Sequence, residues 1–189
     1  MRLLLKFLIP FCILLPWQGR VMAQELSQIE ISDNISRVNF SFQGVYYSFE
    51  KKLAPVISLY SDLGMGLSYG RMSTIDYHLA VSPTIATEGR WYFTYRRRYN
   101  NGKKTLLNSA EFLSLQAAYV FKSIAAKGTN DAPASFFLMA NLGLQRTWGK
   151  HISFELKFGY GIGYIFENSS FGQGGNLNLK LGYVFNKAH

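Results

Sequence analysis

From His151 to Glu167 the chain alternates in character for seventeen residues. Ile152, Phe154, Leu156, Phe158, Tyr160, Ile162, Tyr164 and Phe166 form one set. His151, Ser153, Glu155, Lys157, Gly159, Gly161, Gly163 and Glu167 form the other, with Ile165 the single apolar intruder. Side chains on a β-strand point to opposite faces with period two, so one face is continuously apolar and the other small or charged. Fully extended, the run reaches more than about 50 Å, whereas a globular strand is usually about 5–6 residues long. An apolar face that long needs an extended apolar partner. Lipid is such a partner, and strands meet lipid only when a closed barrel satisfies every backbone hydrogen bond.

The pattern recurs. Leu177, Leu179, Leu181, Tyr183 and Phe185 interleave with Asn178, Lys180, Gly182 and Val184. Phe136, Leu138, Ala140, Leu142 and Leu144 alternate with Met139, Asn141, Gly143 and Gln145. Leu113, Leu115, Ala117, Tyr119 and Phe121 alternate with Ser114, Gln116, Ala118 and Val120. Ile57, Leu59, Leu63, Met65, Leu67 and Tyr69 alternate with Ser58, Asp62, Gly64, Gly66 and Ser68. Between Tyr77 and Tyr95, the residues Tyr77, Leu79, Val81, Pro83, Ile85, Trp91 and Phe93 share one parity, and His78, Ser82, Thr84, Glu88 and Arg90 the other. A two-residue hairpin at Glu88-Gly89 would turn Arg90 toward lipid at a cost of about 2–4 kcal/mol. The stretch therefore reads as one strand, with Pro83 removing a ladder hydrogen bond and marking a bulge. Residues 38–50 are strand-like but aromatic on both faces, which leaves their register open.

Turn-forming residues divide the strands. They fall at Glu50–Leu53, at 71–76, at Gly149-Lys150, at Ser123–Ala134 and at Asn168–Gly175, where Gly172–Gly175 reads as a loop tip. Arg96–Asn108 is a longer basic connection centred on Asn100-Asn101-Gly102. Outer-membrane barrels end on the periplasmic side and keep short turns there. Counting back from the C-terminus puts 168–175, 123–134 and 71–76 outside, and 149–150, 97–107 and 51–52 inside. Six full strands and one near 38–50 result. Even closure needs an eighth, for which Ser27–Asp33 is the candidate.

The N-terminus is consistent with that destination. Arg2 and Lys6 precede a mostly apolar Leu3–Leu15, and Val21-Met22-Ala23 ends in a small residue. This reads as a secretory leader over residues 1–23, with 24–189 a single barrel domain. Pro10, Pro16 and Gly19-Arg20 argue against a spanning anchor. The lone Cys12 lies in the leader, so the mature chain needs no disulfide. Of the formal charge of +9, Arg2, Lys6 and Arg20 leave with the leader and no acid does, giving +6. Export argues against reading that excess as nucleic-acid binding. Mean hydropathy is only +0.01, as expected when apolar residues are spread one in two.

The assigned directions gather Trp91, Phe93, Trp148, Tyr183 and Phe185 at the inner interface. They gather Tyr69, Tyr77, Tyr119, Phe121, Phe136, Tyr164 and Phe166 at the outer one. Two aromatic girdles are what a membrane-spanning barrel needs. Together with Arg90-Trp91-Tyr92-Phe93, Arg96-Arg97-Arg98, Gly102-Lys103-Lys104-Thr105 and Asn108-Ser109, the pattern over residues 38–187 resembles the small outer-membrane β-barrel families. These include the eight-stranded membrane domain of outer membrane protein A. The likeness is to their short members, since no peptidoglycan-binding domain follows Phe185. It implies an outer-membrane barrel and brings no known activity.

Six charged residues share the polar face: Asp62, Glu88, Arg90, Glu155, Lys157 and Lys180. Inside a narrow barrel they form either a salt-bridged plug or an ion path, and eight strands leave a lumen that side chains fill. His151, Ser153 and Glu155 have the residue types of an acyl-transfer triad, but they face the lumen near the inner end, away from lipid. His78 is a lone inward histidine, and no Cys/His cluster suggests zinc. Arg96, Arg97, Arg98, Lys103 and Lys104 form a basic periplasmic turn, either solvated and anchoring the barrel or touching anionic headgroups, cell-wall polymer or a periplasmic protein. Gly161-Ile162-Gly163 lies mid-strand and lightens the lumen.

These features point to an all-β fold, a transmembrane antiparallel up-and-down barrel of eight strands. It is expected to be monomeric, without cofactor, metal or nucleic-acid partner, and non-enzymatic. Its partners are outer-membrane lipid and a surface ligand or another envelope protein. The alternatives are a small pore, a lipid-modifying enzyme and a soluble lipocalin-like cup.

Overall fold

A computed structural model describes residues 29–72, 75–128 and 131–185, with backbone alone for 69–72, 75–78 and 128. The expected leader lies outside the described residues, as do positions 27–28 of the proposed eighth strand. The barrel belongs to the second of two contact units, Ile31–His189.

Nine strands follow in chain order: β1 (Asn34–Ser41), β2 (Gly44–Ala54), β3 (Ile57–Met72), β4 (Ile75–Trp91), β5 (Glu111–Val120), β6 (Ala125–Gly128), β7 (Ser135–Trp148), β8 (Ile152–Ile165) and β9 (Ser170–Val184). They pair antiparallel in the order β3-β2-β1-β9-β8-β7-β5-β4, and β3 also pairs with β4, which closes the ring. The short β6 continues the line of β5 along β4. The result is a closed eight-staved barrel with up-and-down connections. A helix, α1 (Tyr95–Asn100), lies in the connection between β4 and β5. The ends of the barrel are therefore distinguishable as a helix end and a far end.

Pro83 explains the break between β5 and β6. Thr84 pairs with Val120 and Val81 with Ala125, so Ser82 and Pro83 on β4 face residues 121–124. Pro83 has no N–H to donate to that neighbour. Its carbonyl still accepts from the Phe121 amide at 2.9 Å, and the Val81 carbonyl from Ile124 at 2.9 Å. At Pro83 the irregularity lies in the partner strand, whereas β4 has a register shift of its own farther along, where Ala80 pairs with Ser68 but Tyr77 with Gly70, so Tyr77 does not keep the parity of Leu79 and Val81 that the sequence reading gave it.

Several boundaries differ from the sequence reading. Residues 38–50 are not one strand: Phe42-Gln43 turn the chain between β1 and β2. Ser41 faces Gly44 across this turn, so inward parity switches from odd in β1 to even in β2. Read as one strand, such a segment looks aromatic on both faces. The eighth strand is thus Asn34–Ser41, and Ile29–Asp33 form no strand. The next turn is Pro55-Val56, with Lys51 and Lys52 inside β2. β9 begins at Ser170, so the glycines from Gly172 to Gly175 pair with β8 rather than forming a loop tip. The 123–134 loop contains β6, and the basic connection contains α1 and a 3₁₀ turn at Leu106–Asn108.

The apolar set faces outward. Phe40, Tyr47, Leu63, Leu115, Leu142, Phe158, Ile162 and Leu181 are all exposed on the wall. The inward set includes buried Asp62, Glu88, Arg90, Glu155, Lys157 and Lys180. Glycine makes room within: a Cβ at Gly143 would stand 2.1 Å from the Phe112 ring, which packs across the β5–β7 pair onto the bare backbone.

Candidate functional site

The interior brings together two ion-pair systems. Arg90 projects inward from β4, and its guanidinium forks onto Glu155 at 2.8 and 3.2 Å. It also donates to Gln145 and Glu88, each at 3.2 Å. Its planar group lies 3.5 Å from the Tyr60 ring centroid and 4.4 Å from that of Phe112. A guanidinium is suited to this double use, since it stacks on aromatic faces while donating in its plane. Glu88 receives a second cation, Lys157, at 2.7 Å. Lys180 donates to Asp62 at 2.5 Å, and Ser48 donates to the other Asp62 oxygen.

Sequence reasoning missed a further pair, Arg37 with Glu50. Glu50 also accepts from Tyr92 at 2.5 Å, Ser58 at 2.7 Å and Asn108 at 2.9 Å. The misread hairpin hid both partners, because their parity is visible only once the chain is folded at Phe42-Gln43. Gly44, immediately after that turn with φ +135, is the local signal that marks it. Among the described residues the buried interior thus holds four carboxylates, Glu50, Asp62, Glu88 and Glu155, and four bases, Arg37, Arg90, Lys157 and Lys180. All eight are ion-paired, which is the condition under which buried charge is tolerated.

The β4–β5 connection closes the helix end. Leu107 and Asn108 carry φ of 52 and 62, a left-handed pair that turns both side chains into the mouth. Leu107 packs with Ile35 and Val184. Its carbonyl accepts from Gln145 at 2.6 Å, and the Leu106 carbonyl from Thr147 at 3.0 Å. Burial pushes the Tyr95 phenol in α1 above its ordinary range, partly offset by its hydrogen bond with Thr105. At the other end Gln116, Ala118, Phe137 and Met139 point inward and are only half-buried. The cross-section is therefore densest on the helix side. Replacing Asn108 with leucine removes one Glu50 partner and the acceptor of the Ser32 amide at 2.8 Å. The expected loss is about 1–3 kcal/mol, with faster protease cleavage between residues 96 and 108. Cleavage unchanged from the parent would mean that Asn108 does not tether the connection.

The aromatic residues sit at two levels. At the helix end Trp91 meets Phe93 obliquely at 5.9 Å, Trp148 stacks on Phe154 at 6.1 Å, and Tyr183 meets Phe185 edge-on at 5.5 Å. At the far end Tyr119 meets Phe121 at 4.7 Å and Phe166 at 5.7 Å, and Tyr164 meets Phe166 at 5.0 Å. Phe136 faces Tyr119 and Tyr164 in the register. Phe171, absent from the sequence reading, joins this group at 4.8 Å from Tyr164. Tyr69, Tyr77 and His78 fall outside the described side chains. On the wall between the two levels is an apolar groove of about 710 Å³, with Gly89 and Ala140 among its lining residues, beside Leu113, Leu115, Leu142, Phe158 and Tyr160.

His151, Ser153 and Glu155 each engage other groups. His151 Nδ1 lies 3.0 Å from the Val184 carbonyl and its ring stacks on Tyr183. Ser153 donates to the Gly182 carbonyl at 3.4 Å, and Glu155 is held by Arg90. No group of three or more metal-ligating side chains converges among the described residues.

Outside the interior, charge is unevenly distributed. Between Ile31 and Phe185 the helix end carries nine bases, Lys51, Lys52, Arg96, Arg97, Arg98, Lys103, Lys104, Arg146 and Lys150, against Asp33 and Glu111. The chain places three bases, Arg71, Lys122 and Lys127, at the far end against Asp76, Asp131 and Glu167. The interior balances at four each, so the whole excess lies at the helix end. Lys52 pairs with Asp33 at 2.6 Å, and Glu111 is taken by Arg146 and Arg98. Of the basic turn, Arg97, Lys103 and Lys104 are exposed, whereas Arg98 donates to the Ser109 carbonyl at 2.9 Å. Comparison of the chain with protein-family models, with curated proteins and with solved structures finds no match in any of the three.

Proposed function

We propose that the chain is exported by way of residues 1–23 and inserts into a bacterial outer membrane as a monomeric integral barrel. Its role is structural or in surface interaction, and its lumen is a salt-bridged strut rather than a conduit. The observation that carries this reading is the orientation of the two side-chain sets. Apolar side chains cover the wall, aromatic clusters stand at both ends, and four balanced ion pairs fill the interior. A soluble lipocalin-like cup needs the reverse, with apolar side chains round the cavity and charge in water. No catalytic role is assigned, since the hydrogen bonds of His151, Ser153 and Glu155 lead elsewhere.

Membrane fractionation tests the reading. After high-salt and carbonate washing the mature protein stays with the outer membrane. On a gel run without boiling it migrates faster than the boiled form, as a detergent-resistant barrel does. Release into the soluble fraction with no mobility shift overturns the membrane assignment. In planar bilayers the protein gives no stepwise conductance, and steady channel openings would favour the pore alternative.

A further inference from the structure

The helix end concentrates the net charge of the barrel, and its acids are already engaged. Six cations there have no ion pair among the described residues: Lys51, Arg96, Arg97, Lys103, Lys104 and Lys150. Three of them, Lys51, Lys104 and Lys150, flank the wall rather than the mouth. Lys51 projects from the outer face of β2, on the same parity as Tyr47 and Phe49. Lys104 donates to the Gly149 carbonyl at 2.9 Å, which sets it beside exposed Lys150 and Trp148. Arg96 and Arg97 follow the Trp91–Phe93 pair by a few residues.

We propose that this rim is an anchor for anionic phospholipid headgroups of the leaflet surrounding the helix end. The proposal rests on the membrane reading given above. Aromatic side chains settle at the boundary between hydrocarbon and headgroup. Long basic side chains just beyond them keep their stems along apolar surface and extend their charge into the headgroup layer. An anionic layer attracts such cations over a Debye length, and salt screens the attraction. A general need for solubility would distribute charge to both ends, yet the far end is balanced. A soluble polyanion would be met by cations gathered over the mouth, whereas Lys51, Lys104 and Lys150 flank the wall and its aromatic belt.

The chain has three tryptophans, Trp17 in the expected leader and Trp91 and Trp148 at the helix end. With Trp17→Phe, fluorescence of the full chain therefore reports the helix end alone. The protein is reconstituted in phosphatidylcholine bilayers holding a minor share of acyl-brominated phosphatidylglycerol, and in matched bilayers where the bromine is on phosphatidylcholine instead. At low salt, brominated phosphatidylglycerol is expected to quench beyond its mole share by about fivefold. High salt, or the combined variant Arg97→Gln, Lys104→Gln and Lys150→Gln, brings the two lipids to parity. Equal quenching by both lipids at every salt concentration overturns the anchor while leaving the membrane reading intact. Absence of quenching by either lipid overturns the membrane reading itself. An emission shift with soluble poly-glutamate in neutral bilayers, without phosphatidylglycerol enrichment, overturns the anchor in favour of a polymer-binding rim.

Discussion

Replacing Arg90 with leucine is expected to destabilise the barrel by about 3–5 kcal/mol, because Glu155 then remains buried and charged without its partner. Arg90 is 0% exposed and Glu155 4%, so water cannot take over the lost hydrogen bonds without opening the wall. Glu88 fares better, since Lys157 still donates to it at 2.7 Å. The double change Arg90→Leu with Glu155→Leu removes both charges, and most of the lost stability should return. Urea unfolding of protein in lipid vesicles, followed by fluorescence, measures each variant. A double variant no more stable than Arg90→Leu would show that the cost lies in the stacking of Arg90 between Tyr60 and Phe112 rather than in the stranded carboxylate.

The second large effect is expected on the outer wall. Leu115 lies mid-strand in β5 and is 58% exposed. If that face meets hydrocarbon, Leu115→Arg costs about 2–4 kcal/mol near the midplane. If it meets water, the same change alters stability by no more than about 0.5 kcal/mol. The substitution therefore separates a membrane barrel from a soluble one without reference to localisation. Refolding yield and urea midpoint in vesicles, compared with Leu115→Ala, give the answer. A Leu115→Arg protein as stable as its alanine counterpart would sink the lipid-facing assignment.

Much of the barrel was legible because β-strand projection is local. Alternate residues face alternate sides whatever the neighbouring strand, so Glu155 and Lys157 could be placed on one face, and Asp62, Glu88, Arg90 and Lys180 on the same side of their own strands. The unbroken run of β4 could be argued from the cost of sending Arg90 outward. The N-terminal third was harder. Phe40, Phe42, Tyr46, Tyr47 and Phe49 have similar size and polarity on both parities, and only the turn at Phe42-Gln43 tells which set points inward. Lys51 and Lys52 resembled a turn by charge, whereas Pro55-Val56 makes it. At the other end of the chain the glycine-rich Gly172–Gly175 resembled a loop and is strand. There the glycines lie in an exposed, paired stretch where a Cβ at Gly172 or Gly174 would meet nothing, and none of them makes a bend.

The sequence by itself determined that the chain forms long amphipathic strands, which side chains share the polar face, and that aromatic residues collect toward strand ends. Period two and the placement of breakers suffice for that. Only the tertiary structure decided which charges meet. Arg90 finds Glu155 from 65 residues away, and Lys180 finds Asp62 from 118. Those distances close only through the register of every intervening strand pair, and register is a property of the ring rather than of any strand. The structure also decided that Arg37 and Glu50 complete the balance, and that the basic connection turns Leu107 and Asn108 into the mouth. A loop's path depends on what the barrel end offers it, here Glu50, Gln145, Ile35 and Val184, which come from four different strands.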